Sequence, residues 1–304
     1  MRKHQPRVGL LYNPTTPQLL DYAPSLVEHL SVMPDRLWFD FGTEPMPGRR
    51  FHRLHEAIDR VKRDTVGRML AGHGLGLSLP SAMPLDEAMV VAVADVSRDL
   101  GNFAWYSEHL NLFITPKGGV PNAQAGLGLP VIYNEETLSL MTPKLRRLRD
   151  ALGCRLLLEN GSFFTPVPDL DLSEPEFLNR LHREGLSGVL LDLHNLLVNA
   201  RNGGADPIAY LESLDLDAVE EVHLAGGDDA EGFYMDSHST LTPDYVWELA
   251  HAYLPRCRNL RAITFEYQES YFEELGLPAL AAELERMHTL ADICDLVLEP
   301  VDAC

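Results

Sequence analysis

Residues 221–239, EVHLAGGDDAEGFYMDSHS, crowd histidines and carboxylates into one short stretch broken by glycines. His223, Asp236 and His238 are residue types that hold metal ions, since mixed imidazole and carboxylate donors suit Fe, Mn or Zn. In extended backbone the two-residue spacing of Asp236 and His238 turns both side chains the same way. They can then share an ion or serve adjacent ones. The competing reading is a set of ordinary polar residues at the end of a strand.

The same residue types recur along the chain. His73 lies in GHGLGLS, His109 in YSEHL, Glu159 in LLLEN, Asp192 in GVLLDL and Glu266 in ITFEY. Gathering Glu159, Asp192, Asp236 and Glu266 in one place without cations would force several to protonate, because like charges a few ångströms apart cannot all ionise. Bound metal resolves that repulsion. Four histidines and four carboxylates exceed the needs of one ion, so two or three ions are expected. Without thiolate nearby, a structural zinc site or an Fe–S cluster is disfavoured. The glycines around His73 do not spell GxGxxG or a Walker loop, and there is no GxSxG elbow, which argues against nucleotide and α/β-hydrolase readings.

These residues need a scaffold that brings distant segments together. Eight apolar runs of strand length recur: 8–12, 36–41, 66–73, 102–107, 155–160, 188–193, 219–225 and 260–267. Amphipathic stretches follow most of them, for example LDEAMVVAVADVSRDL and SEPEFLNRLHREG, several opening on a residue that caps helix N-termini. Eight such units predict an α/β fold of the (β/α)8 TIM-barrel type, one domain over 1–304, with its active site at the C-terminal ends of the strands. The candidate residues fall at those ends or in the loops that follow. The turn-rich run 115–130 reads as a long loop over the barrel mouth, a candidate lid.

Composition narrows the partners. With 45 acidic against 25 basic side chains the formal charge is −20, which opposes binding to a nucleic-acid backbone and favours a basic peptide or protein. No stretch approaches the ~20 apolar residues of a membrane helix, and the basic start MRKHQPR leads into too short an apolar run for a secretory signal, so a cytoplasmic location is expected. Cys154, Cys257, Cys294 and Cys304 are far apart and form no CxxC pair.

From about residue 66 to 267 the chain resembles the multinuclear non-haem iron-dependent oxidative enzymes, a family that includes the iron oxidase of methanobactin biosynthesis. HGLGLSLPSA resembles the family's HGVGLSLGS and carries a metal histidine onto His73. YSEHL resembles SDHL and points to His109, with Glu108 in place of the Asp. LLLEN points to Glu159. LLDLHNLLVNARNGGADPIAYL is similar to LLDVNNVYVNAVNHGFDPxxYL and gives Asp192 and Asn195. EVHLAGG resembles EIHLAGH and gives His223, DSHS resembles DTHG and gives Asp236 and His238, and ITFEY resembles LIEWD and gives Glu266.

The resemblance implies two or three Fe2+/Fe3+ ions, O2 as co-substrate, and oxidation at cysteine of a ribosomally made precursor peptide, often with a separate leader-binding protein. One ion would be held by His223, Asp236 and His238 and another by His73, His109 and Glu159, with Glu159 able to bridge. Asp192, Asn195 and Glu266 would complete the shells, and Glu266 or His194 could relay a proton. His194 stands where the family usually has Asn, as an additional ligand, a substrate contact or a donor behind the ligands, the last two being favoured, and Gly227 replaces a common His. The alternative enzyme class is a xylose-isomerase-like divalent-metal isomerase or phosphodiesterase, which needs no oxygen; a third reading is a non-catalytic binding protein.

Overall fold

The computed structural model describes residues 5–42, 50–114, 124–163 and 171–296. Eight parallel strands close into a barrel: β1 (Arg7–Leu11), β2 (His29–Val32), β3 (Met69–Gly74), β4 (Trp105–His109), β5 (Arg155–Glu159), β6 (Gly188–Asp192), β7 (Val219–Leu224) and β8 (Ala262–Phe265). Their order around the barrel is β1-β8-β7-β6-β5-β4-β3-β2. β1, β5, β6 and β8 are largely apolar runs, and β6 is buried at every position, as expected where both faces of a parallel sheet are covered.

The helices expected from the amphipathic stretches form, and their caps explain their starting points. Asp86 caps Glu87–Asp99, Asn134 caps Glu135–Leu152, and Ser173 with Glu176 makes a capping box on Glu174–Arg183. Each supplies an acceptor for a backbone N–H that has no partner inside the helix. Among the described residues no helix is long and apolar enough to cross a membrane.

One strand was expected in the wrong place. Residues 36–41 do not enter the barrel; Pro34–Leu37 is a 3-10 turn, and Trp38–Asp40 pairs antiparallel with Phe51–Arg53. Phe39 and Phe41 of this aromatic run are exposed. The second barrel strand is the shorter HLSV of β2, buried at all four positions. Its His29 and Ser31 disguise it, because a buried polar pair contradicts the apolar pattern used to find buried strands. Of the run expected as a loop over the mouth, residues 115–123 lie outside the described residues. Gln124–Leu129 form a strand paired antiparallel with Leu112–Ile114.

Contacts group the chain into two compact units, Met1–Leu30, Ser162–Pro166 and Val189–Cys304 in one, and Ser31–Gly161 with Val167–Gly188 in the other. In the first, β7 lies between β6 and β8 in a register that sets Asp192 beside His223 and His223 beside Thr264. In the second, β4 lies between β3 and β5, with His73 beside Ser107 and His109 beside Glu159. Parallel register therefore levels the candidate residues at the strand ends within each unit.

Candidate metal centre

In the second unit His73, His109 and Glu159 meet. His73 Nε2 lies 2.9 Å from His109 Nε2, and Glu159 Oε2 lies 3.0 Å from His109 Nε2 and 3.5 Å from His73 Nε2. Two ligands about 2.1 Å from one ion stand about 3.0 Å apart at a right angle and about 3.4 Å apart at the tetrahedral angle. The three atoms thus have the mutual spacing of donors around a single ion. Behind them, Ser107 Oγ is 2.8 Å from His73 Nδ1 and donates to the Gly72 carbonyl. Since the hydroxyl proton is committed to Gly72, Ser107 Oγ accepts from His73 Nδ1–H, which leaves the lone pair on Nε2, facing His109 and Glu159.

The residues flanking His109 and His73 are pinned from the other side. Glu108, buried, accepts from Tyr106 Oη at 2.7 Å and from the Leu77 amide at 2.8 Å, tying β4 to the loop that follows β3. Burial, then the charge of Asp35, pushes the Glu108 carboxyl up to about 8. Gly74 is required here, because a Cβ would lie 1.8 Å from Tyr106 Oη and 2.4 Å from Glu108 Oε2. Lys144 Nζ reaches the Leu79 and Ser81 carbonyls and holds the same loop.

In the first unit the remaining candidates converge. Glu266, just beyond β8, spans two rings: Oε1 lies 3.0 Å from His223 Nδ1 and Oε2 3.4 Å from His238 Nε2. Asp236 Oδ1 lies 3.0 Å from His238 Nε2 and 2.9 Å from His194 Nδ1, while Ser162 donates to Asp236 Oδ2. His194 Nε2 in turn lies 3.2 Å from Tyr234 Oη. Asp192 ends β6 and caps helix Leu193–Gly203 by accepting from the Asn195 amide at 2.7 Å; both residues are buried.

His238 holds a left-handed backbone at φ +50°, a conformation that costs a non-glycine residue about 1–2 kcal/mol. It is locked by its neighbours: the Ser239 amide donates to the Gly226 carbonyl, and the Gln268 amide donates to the His238 carbonyl. Gly226 permits this packing, since a Cβ there would sit 2.3 Å from the Leu241 carbonyl oxygen.

The electrostatics of this group call for a cation. Burial, then the charges of Asp236 and Glu266, lifts the Asp192 carboxyl to about 6. Burial opposes charge on His238, yet Asp236 and Glu266 outweigh it and raise the imidazole to about 9. His223 is likewise raised well above its usual range against burial, chiefly by Glu266 and then by Glu221. Asp236 is held well below the carboxylate range by His238 and His194 despite burial. Protonated histidines therefore supply the positive charge that a metal ion would bring, and oxygen and nitrogen donors without thiolate match a first-row ion such as iron. Among the described residues the groups able to hold a metal contain only histidine and carboxylate.

Within its own unit, each site residue expected from the sequence lies in or beside one of these two groups. His194, expected as a substrate contact or a donor behind the ligands, touches Asp236. Sequence reasoning missed Glu221, His29 and Thr264, three buried residues of the first unit. Thr264 donates to Glu221 Oε1 at 2.7 Å, His29 Nε2 lies 3.3 Å and His223 Nε2 3.4 Å from that same oxygen. Glu221 carried a signal, being two residues before His223 and so on the same strand face. His29 carried none.

The chain matches the family described as RiPP precursor modification enzyme MbnB/TglH/ChrH over residues 19–292. It is 34% identical over 229 residues to a UPF0276 protein of Anaeromyxobacter sp. (strain Fw109-5), covering 75% of this chain and 77% of that protein. It is 34% identical over 225 residues to a UPF0276 protein of Chromobacterium violaceum, covering 74% and 78%. Among solved structures the D-psicose 3-epimerase of Clostridium cellulolyticum H10 superposes with a TM-score of 0.54 at 10% identity, over 96% of this chain and 97% of that one. The IOLI protein with a bound zinc atom gives 0.55 at 13%, over 96% and 99%. These structural likenesses concern the barrel alone. The sequence match spans nearly the whole barrel, and on that ground the chain belongs to the MbnB/TglH/ChrH family of RiPP precursor modification enzymes.

Proposed function

We propose that this enzyme is a multinuclear non-haem iron oxidase that uses dioxygen to modify one or more cysteines of a ribosomally synthesised precursor peptide. The observation that carries the reading is the thiolate-free donor set, two groups of histidine and carboxylate in a chain of this family. His73, His109 and Glu159 would hold one ion; His223, Asp236, His238 and Glu266, with Asp192 and Asn195 beside them, would hold one or two more. When bound, iron supplies a one-electron couple and open positions that accept a soft thiolate and dioxygen.

The chain's own residues would do the rest. Ser107 orients His73. Glu266, with one oxygen toward His223 Nδ1 and the other toward His238 Nε2, is placed to accept the proton that a cysteine thiol must lose before it can ligate. His194, between Asp236 and Tyr234, is the second group able to pass a proton, from Nδ1 to Nε2. The excess of acidic side chains favours a basic peptide, and a separate protein that grips the leader fits the same substrate class.

Anaerobic reconstitution followed by metal analysis tests the proposal. Two or more equivalents of iron, and oxygen uptake when a cysteine-containing precursor peptide is added, support it. Turnover with magnesium, manganese or zinc alone and no oxygen demand would instead support the divalent-metal isomerase or phosphodiesterase reading.

A further inference from the structure

We infer that Glu221 is a positioning residue for this site: held by Thr264 and His29, it faces Nε2 of His223 at 3.4 Å, so that Nδ1 is the nitrogen His223 turns to a metal. The inference rests on the proposed metal reading and adds to it the residues that orient one ligand.

The geometry begins with the strand. Glu221 and His223 are two apart on β7 and share its inner face, and the register sets His223 beside Thr264 of β8. Thr264 donates its hydroxyl to Glu221 Oε1 at 2.7 Å, and His29 Nε2 lies 3.1 Å from Thr264 Oγ1 and 3.3 Å from Glu221 Oε1. His29 can approach because β1 carries Gly9, where a Cβ would stand 2.0 Å from the His29 carbonyl oxygen and 2.8 Å from its Cβ. All four polar side chains are fully buried, so none of them competes with bulk water.

A buried carboxylate is costly unless its oxygens are met by donors. Here Thr264 and His29, from two other strands, converge on Oε1, which holds that oxygen 3.4 Å from His223 Nε2. His223 Nε2 faces that oxygen at 3.4 Å, whereas Nδ1 faces Glu266 Oε1 at 3.0 Å on the opposite side. With Glu221 beside Nε2 to keep its proton there, Nδ1, on the side of Glu266, is the nitrogen that gives up its proton when a metal binds. Metal-binding histidines generally have their far nitrogen engaged in this way, and removing such a partner typically lowers metal affinity about 10–100-fold.

Zinc, being diamagnetic, is the probe. In full-length protein carrying 15N-labelled histidine and loaded with zinc, the His223 resonance, identified by its loss in His223→Gln, is expected to show zinc on Nδ1 and a proton on Nε2. Zinc on Nε2 would overturn the inference. Chelator competition gives a second readout: Glu221→Gln and Thr264→Val should each weaken zinc and ferrous iron binding by about 10-fold or more, and Thr264→Ser should retain it. Wild-type affinity in both weakened candidates would remove Glu221 from its role while leaving the metal reading intact. A wild-type protein that takes up neither metal would overturn the metal reading and this inference together.

Discussion

Nε2 of His73 stands 2.9 Å from Nε2 of His109, and the far nitrogen of His73 is engaged by Ser107 at 2.8 Å. Ser107→Ala removes the acceptor that keeps His73 in this tautomer. The expected result is a fold that survives the loss of a buried hydrogen bond, about 1 kcal/mol, and an iron affinity about 10–100-fold lower. Chelator competition alongside thermal melting checks both halves.

Asp192 has two roles that substitution separates. As cap of helix Leu193–Gly203 it needs only an oxygen toward the Asn195 amide, which Asn also provides. Asp192→Asn should therefore fold as well as wild type without metal, and melt no lower than wild type above about pH 6, because it removes a carboxylate whose ionisation is opposed by burial, Asp236 and Glu266. Iron retention should fall. Asp192→Ala loses the cap as well, and should melt lower by an amount corresponding to about 1 kcal/mol.

The Asp35 and Glu108 carboxyls make the metal-free protein less stable toward alkaline pH. Burial lifts Asp35 to about 6, and burial with the Asp35 charge lifts Glu108 to about 8. Both folded values exceed those of the unfolded chain, so the folded state holds more protons in between and stability declines as pH rises from about 4 to about 8. Melting curves across that range should show the decline, and Glu108→Gln should flatten its upper part. A slope unchanged in the variant would assign the decline elsewhere.

Gly227 makes room for His194. A Cβ at residue 227 would lie 2.0 Å from the Met235 carbonyl oxygen and 3.1 Å from His194 Nε2. Gly227→Ala should cost about 1–3 kcal/mol and displace the His194 ring from Asp236. Urea denaturation measures the cost. The displacement should also lower turnover if His194 passes a proton, which steady-state rates on the precursor peptide would register.

Much of this protein was legible in one dimension. Strand-length apolar runs alternating with capped amphipathic stretches specify a parallel barrel because periodicity and capping are local properties. His73, His109, Glu159, Asp192, His223 and Glu266 mark themselves by ending those runs or directly following them. Other matters are decided by neighbours far along the chain. HLSV becomes a barrel strand, and RLWFDF does not, because His29 finds Glu221 and Thr264 inside the fold, a match that no pattern within four residues encodes. Which nitrogen each histidine presents depends on hydrogen-bond partners supplied by other strands, as Ser107 does for His73. The left-handed backbone of His238 likewise exists only because Gly226 and Gln268 hold it. Residue type and local order set what chemistry is available; parallel register and long-range hydrogen bonds decide which atoms face one another.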